Sequence, residues 1–425
     1  MPQETAGPAD AGGAAAAGET AYPSAPVPSG LLGGYRALMT APGARRLAAA
    51  SLLSKFPINM FSISVLLLVP PVYSIGAAGL TISTMLIANA LTSPLRGRLA
   101  DRYPAKLVLF TCLVCYLGGL AGLLASVSAG LPFAAVAASA AVMGMCFPPV
   151  SIMLRTYWRG AVEERHQGQA NALESALMDL TLITGPVLAA WLSTSMSPML
   201  PLVLSGPLMA LAVLLLAGLR RQGLPPAGDR SGDWLRPLRP VTLRRVFTAH
   251  VLFCAALAAT EVVLPIYAQQ HDATGFSGLY LAGLSVGSIV GALGLAAAPA
   301  GIRRRTPPAV LLAGFVVGGC VLALTMHAPP ALVLLVCPLT GAVIGSTFTA
   351  LFTTVGMLTP AGCENETQGW MTSITQVGFA VGASSSAALA AGHDSSFFLL
   401  VTAPAAGMAA LVFPRASASP SPAPR

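Results

Sequence analysis

The chain has 425 residues, 55% of them hydrophobic and only 9% charged, with a formal net charge of +8. A water-soluble domain of this length needs far more polar surface, so the composition excludes one. The basic residues punctuate long apolar runs and form no continuous face, which argues against a nucleic-acid partner.

Residues 1–33 are rich in Ala, Gly, Pro and Ser and read as a disordered cytoplasmic tail, as do residues 415–425. The first tail lacks the basic start and apolar core of a signal peptide. Twelve apolar segments follow: 46–70, 75–96, 106–128, 131–155, 169–194, 199–219, 246–268, 277–299, 307–327, 330–357, 368–391 and 395–414. Runs of about 20 apolar residues span a hydrocarbon core of roughly 30 Å as helices. Pro148 and Pro149 should break the fourth locally. The stretch 220–245 is the longest internal connection. It divides the chain into a six-helix bundle over 34–219 and another over 246–414. The expected fold is an all-α membrane protein, twelve transmembrane helices in two pseudo-symmetric six-helix bundles. "QANALESALMDLTLITGPVLAAWL" in the fifth segment runs in register with "QGWMTSITQVGFAVGASSSAALA" in the eleventh. Parallel six-helix repeats are a transporter architecture, with the site between the halves near mid-membrane.

The cations alternate along the chain. Counted from a cytoplasmic N-terminus, every Arg falls in or beside an inside connection, and the outside connections hold no Lys or Arg. Both termini are therefore expected in the cytoplasm. Arg outnumbers Lys 21 to 2 in an Ala-, Gly- and Pro-rich chain, the pattern of a GC-rich bacterial genome, so a bacterial plasma (inner) membrane is expected. "RGRLADRYPAK" reads as a cytoplasmic loop between spans two and three.

That loop carries more than orientation needs. Gly97, Asp101, Arg102 and Lys106 resemble the signature between spans two and three of the major facilitator superfamily, with Pro104 and Ala105 departing from it. The resemblance covers about residues 40 to 415. It implies that Asp101 and the neighbouring arginine belong to a cytoplasmic latch between the halves. Asp101 would accept hydrogen bonds from Arg102 or another loop arginine, or face the N-terminal end of span eleven near residues 366–369. "TLITGPVLAA" in span five is similar to the motif of proton-driven exporters in this superfamily, with Gly185 and Pro186 retained and Thr181, Ala189 and Ala190 replacing glycines. The arginine such exporters carry in the membrane part of span four has no counterpart, Arg155 being placed at its cytoplasmic end. The resemblance implies a bacterial drug-efflux-like antiporter.

Ionisable residues inside spans cost about 2.5–3.5 kcal/mol each at mid-membrane, which makes each a candidate for function. Lys55, about nine residues into span one, either snorkels to the surface or serves as a substrate or carboxylate partner. Asp179 lies near the midplane of span five, and Glu261 deep in span seven before Pro265. A carboxylate held out of water is suited to exchanging protons, although a structural hydrogen bond is the alternative for Glu261. Glu174 should pair with a loop arginine such as Arg155 or Arg159. Asn59, Asn89, Asn171 and Gln376 would give polar contacts in a cavity or hydrogen bonds between helices. In span eight, Gly283, Gly287 and Gly291 form a close-packing face, and no hydrolase reading of Ser285 fits. Cys112 and Cys115 lack the second ligand pair of a metal site, and no phosphate-binding loop points to ATP.

The expected function is proton-coupled export of small, partly apolar molecules by alternating access, with protons, substrate and the lipid bilayer as partners. No cofactor or metal is expected, and a monomer is. An importer or uniporter of the same fold is the alternative. A membrane-embedded enzyme is disfavoured because His166, His250, His271, His327 and His393 fall in or near connections.

Overall fold

The computed structural model describes residues 33–163, 166–219, 236–271 and 273–390. Within them all regular structure is helical. That is what lipid demands of apolar segments, since each backbone N–H and C=O must find its partner inside the segment. A short helix α1 (Gly33–Thr40) leads into α2 (Ala44–Leu68), α3 (Ile75–Arg102), α4 (Ala105–Ser128), α5 (Phe133–Met145), α6 (Val150–Ala161), α7 (Gln167–Ser195) and α8 (Leu200–Ala217). The second half comprises α9 (Val241–Gln270), α10 (Ser277–Ala297), the short α11 (Ala300–Arg305), α12 (Pro308–Thr325), α13 (Pro330–Leu358) and α14 (Glu364–Ala390). Ten spans, counting α5 and α6 as one, are long and apolar enough to cross a membrane. The helix α14 is also long enough but starts polar, with Glu364 and Glu366 in its first turn. The expected twelfth segment, both tails apart from Gly33, and residues 220–235 of the connection between the halves lie outside the described residues.

The broken fourth segment appears as the gap between α5 and α6 at Cys146–Pro149, where two prolines remove backbone donors. Three other boundaries differ from the sequence reading. The seventh segment starts earlier, at Val241, and the eleventh starts at Glu364. The stretch read as the loop "RGRLADRYPAK" is mostly helix, with only Tyr103 and Pro104 between α3 and α4. Arg96 and Arg98 are buried at 3% and 4% exposure, not solvated. Arg96 is held by oxygens of its own helix, donating to Asn89 O at 2.9 Å, Asn89 Oδ1 at 2.5 Å and Ser93 Oγ at 2.9 Å, and also to the carbonyl of Phe147. The broken segment frees that last carbonyl, so the Pro-Pro break and the buried arginine explain each other.

Each half has its own apolar core, one built from residues between Leu38 and Ala217, the other from residues between Leu243 and Met371. In the second half α10 lies directly against α13. A methyl on Gly287 or Gly291 would land on the backbone of Pro338 or Ala342, and one on Gly341 or Gly345 would strike Leu284 or Ser288. The glycine face of span eight is thus matched by glycines on its neighbour, and neither helix can carry a side chain at the crossing. Phe253, Phe315 and Phe348 fill the adjoining core edge to face, with ring centroids 5.0–5.2 Å apart.

The two halves meet through α3 against α14 and through α7 against α10 and α13. Shifting by one half exchanges the α3–α14 and α7–α10 pairs, as expected of two similar halves related by an axis between them. The C-terminal ends of α3, α10 and α13 and the N-terminal ends of α7 and α14 share one face of the bundle, called here the Arg-rich end after the arginines of the connections that follow α6 and α10.

Candidate functional site

Contacts between the halves begin at the Arg-rich end and continue to about the helix midpoints. The outermost layer centres on Asp101. As an isolated helix end, α14 would leave its first N–H groups without acceptors. Asp101 Oδ1 accepts from the Asn365 backbone N–H at 3.1 Å and from Asn365 Nδ2 at 2.8 Å, and Oδ2 accepts from the Glu366 backbone N–H at 2.9 Å. These are the second and third helical positions, the ones an N-cap aspartate normally serves from the preceding residue. Here the cap comes from the other half of the molecule, 264 residues away. The negative carboxylate also faces the positive end of the helix dipole. Gly362, at φ 80°, turns the chain into the helix start.

Gly97 belongs to the same contact, because a methyl there would land on the Asn365 carbonyl. The reciprocal residue is Gly369, where a methyl would strike the Ser93 backbone. Arg98 Nη1 lies 4.0 Å from Glu366 Oε1. Arg102 and Lys106, from the same motif, are exposed at the rim. Cys363 is buried in this layer at 5% exposure, and burial pushes its thiol up to about 11. Nearby, Tyr35 of α1 donates to Leu293 O at 2.8 Å and Arg159 donates to Gly356 O at 3.1 Å, both across the seam.

The second layer is charged. Lys55 Nζ donates to Glu174 Oε2 at 2.7 Å and to Ser51 Oγ at 2.5 Å. Ser51 Oγ donates to the same Oε2 at 2.8 Å, and Trp158 Nε1 donates to Oε1 at 2.9 Å. Lys55 therefore does not snorkel; at 6% exposure it is a carboxylate partner. The expectation that Glu174 pairs with a loop arginine is corrected. Its ion-pair partner is Lys55, 119 residues earlier, and Arg155 acts on it only through its field. Arg155 lies six residues before the end of α6, in the last quarter of its span. Its guanidinium carbon lies 3.4 Å from the centroid of the Phe352 ring of α13. Asn171, beside it, donates to Thr353 Oγ1 across the seam at 3.0 Å. His250, placed near a connection by the sequence reading, is fully buried in α9. It pairs with Thr375 at 2.8 Å and sits among Phe253, Phe348 and Phe352.

The third layer lies at mid-helix. Asp179 Oδ2 accepts from Ser288 Oγ of α10 at 2.5 Å, joining the halves. Glu261, on α9 in the second half, is half-buried and within electrostatic reach of Asp179. Ser373 of α14 donates to the carbonyl of Ala90 in α3 at a similar level. Two carboxylates, one from each half, thus approach the same seam.

The remaining candidates fall elsewhere. Asn59 donates to Thr181 Oγ1 at 2.9 Å, inside the first half. Gly185 faces it, a methyl there falling 2.9 Å from Asn59 Cβ, so Gly185 and Pro186 shape the α2–α7 packing and not the seam. Gln376 is half-buried on α14, its Oε1 without a hydrogen-bond partner among the described residues. Arg155, His250 and Phe352 were missed. Their signal in the sequence is weak, although Arg155, one turn before Trp158 and sharing α6 with Arg159 alone among charged residues, could have been weighed as Lys55 was.

Two similar sets of membrane-spanning helices, meeting along a seam of charged and polar side chains that deepens to mid-membrane, define a membrane transporter. The chain belongs to the Major Facilitator Superfamily, whose family model matches residues 47–383. That family consists of transporters, and no catalytic family is indicated. Solved structures share the fold. One is a bacterial homologue of the iron transporter ferroportin in its outward-facing state, 15% identical, covering 87% of this chain and 98% of that one at a TM-score of 0.71. Others are the human organic anion transporter MFSD10, 15% identical over 88% and 99% at 0.68, and the E. coli fucose:proton symporter, 15% identical over 87% and 97% at 0.67. No curated protein matches the sequence.

Proposed function

We propose that the protein is a proton-coupled exporter of small, partly apolar molecules, working by alternating access in a bacterial inner membrane. It has twelve spans, both termini in the cytoplasm and the Arg-rich end inside, and it acts as a monomer. The observation that carries this reading is the approach of Asp179 and Glu261 from opposite halves at mid-membrane. Separating the halves breaks the Asp179–Ser288 hydrogen bond, so the proton affinity of these acids changes with the state of the seam. A group whose proton affinity depends on which side is open can exchange protons for substrate. Asp101 and α14 act as the cytoplasmic gate, and the layers described are that gate closed.

The reading is tested in two steps. A deletion strain screened against many compounds, with and without the gene restored, identifies an exported compound. Everted vesicles then report whether that compound releases stored protons. An Asp179→Asn, Glu261→Gln double variant should insert normally and lose the proton signal. Unchanged pH-dependent efflux by that variant excludes both acids as proton carriers, and uptake driven by an inward proton gradient would favour the importer.

A further inference from the structure

The charged layer at the seam does not balance. Lys55, Arg155 and Glu174 lie within one another's fields, two cations to one carboxylate. Both oxygens of Glu174 are already engaged, one by Trp158 and the other by Lys55 and Ser51. Arg155 has no carboxylate within ion-pair distance among the described residues. The single hydrogen bond it makes there is a long one, 3.5 Å from Nη1 to Asn171 Oδ1. Arg155 as a residue is half-buried, and its guanidinium lies over the face of Phe352. An arginine carries five N–H donors in a planar fork suited to an oxyanion. Here only one of them has a hydrogen-bond acceptor among the described residues.

We infer that Arg155 and Phe352 form a binding site for an organic monoanion with a flat apolar body, the oxyanion meeting the guanidinium and the body lying against Phe352 and Phe348. A neutral ligand would leave the spare charge uncompensated, and a cation would be repelled by it. A small inorganic anion would make no use of the apolar side chains beside the guanidinium, where Phe348 and Phe352 are stacked at 18° with centroids 6.4 Å apart. The acids Asp179 and Glu261 do not fill the deficit. Asp179 lies five residues beyond Glu174 on α7, about 7 Å further along the helix. The site's use in transport rests on the function proposed above, but its binding chemistry stands on the guanidinium's lack of a carboxylate and on the rings beside it. Arg155 belongs to one half and Phe352 to the other, so a bound anion touches both.

The test uses the full chain purified in detergent, with no membrane gradient. Titration calorimetry compares 2-naphthoate with its neutral twin 2-naphthamide and with 2-naphthylmethylammonium. Naphthoate should bind about tenfold tighter than naphthamide, or about 1.4 kcal/mol, and the ammonium compound should not bind. Arg155→Gln should abolish the preference for the anion, and Arg155→Lys should restore part of it. Should Arg155→Gln fail to fold, Glu174→Gln reports in the opposite sense. It removes the only carboxylate of the layer, so naphthoate affinity should rise while naphthamide affinity stays put. Absent naphthoate binding, equal binding of naphthamide, or a preference untouched by Arg155→Gln or Glu174→Gln overturns the site. Naphthoate binding that survives in a protein showing no proton exchange removes the proposed transport cycle and leaves the site standing. Proton-coupled efflux of neutral compounds without anion preference does the reverse.

Discussion

Among the helix crossings built from glycine against backbone, two are held in different ways. Where α10 meets α13, glycines on both helices press against carbonyls of the other, with apolar core around them and no charge. Where α3 meets α14, Gly97 and Gly369 make the same kind of approach, but the crossing is closed by a carboxylate on a helix end. The first lies inside one half and the second between halves. Dispersion contacts fade within an ångström or so of separation, so a crossing that rests on them alone tolerates no partial parting. A helix N-terminus at a membrane surface can exchange its cap for water. The uncharged crossing is suited to permanence, and the capped one to opening and closing.

Filling the glycine at each crossing with a branched side chain should therefore give different results. Gly287→Leu forces a side chain into the Pro338 backbone, where neither helix can yield. Overpacking typically costs about 1–3 kcal/mol and more where nothing can move. Expression and the detergent melting temperature should collapse. Gly294, with nothing within 4 Å of an added methyl, should tolerate alanine with an unchanged melt. A normal melting profile for Gly287→Leu would break the comparison at once.

The next effect concerns the pair that anchors the seam from within the first half. Lys55→Met leaves Glu174 buried and without its cation, and breaking such a pair by removing one partner costs about 3–5 kcal/mol. Adding Glu174→Gln should recover much of that loss, because the double variant no longer buries a carboxylate without its ion-pair partner. Melting of the two variants side by side decides it, and equal destabilisation would mean that packing, not charge, was lost.

At the α3–α14 crossing, Gly97→Val should leave the protein folded. Each half keeps its own core, and the added side chain meets Asn365 only while the gate is closed. The expected result is a near-normal melt with efflux strongly reduced. A melt lowered as far as that of Gly287→Leu would show that the two crossings serve the same structural purpose.

The sequence exposed some of this and hid the rest for physical reasons. Apolar run length is set by membrane thickness, so the spans were readable, as was the break at Pro148–Pro149. Gly97, Asp101 and the Gly283–Gly287–Gly291 face lie in local patterns that fix backbone approach. Arg96 and Arg98 were misread because a rule about topology treats every arginine as facing water. Arg96 instead draws on Asn89 and Ser93, seven and three residues earlier, a local pattern that was there to be seen. The partner of Glu174 was beyond reach, since nothing near position 174 points to residue 55. His250 sits in α9, a helix buried on several sides, where polar and apolar faces do not alternate and periodicity carries little information.

The smallest effect sharpens the comparison furthest. Asp101→Asn keeps the size and one acceptor oxygen of the side chain but removes the charge facing the α14 terminus. It takes no cation from the end of α3, so insertion should be unchanged. A lost cap is worth typically about 1 kcal/mol, and about 1.4 kcal/mol shifts a two-state equilibrium tenfold. The gate should therefore open more often by up to about that factor, with no change in melting temperature beyond a degree or two. Cys363 reports this directly. In the closed gate its thiol is buried and pushed up to about 11, so little thiolate exists at neutral pH. Opening returns it to water and to the ordinary range near 8.5, where the reactive thiolate is far more abundant. With the other six cysteines replaced, a polar maleimide should label Cys363 several-fold faster in Asp101→Asn than in the parent. In both proteins labelling should speed up as pH rises. Asp101→Glu, which restores charge on a longer arm, should bring the rate part of the way back. If labelling and efflux of Asp101→Asn both match the parent, the helix-end cap does not bias the gate, and the glycine contacts alone decide when the two halves part.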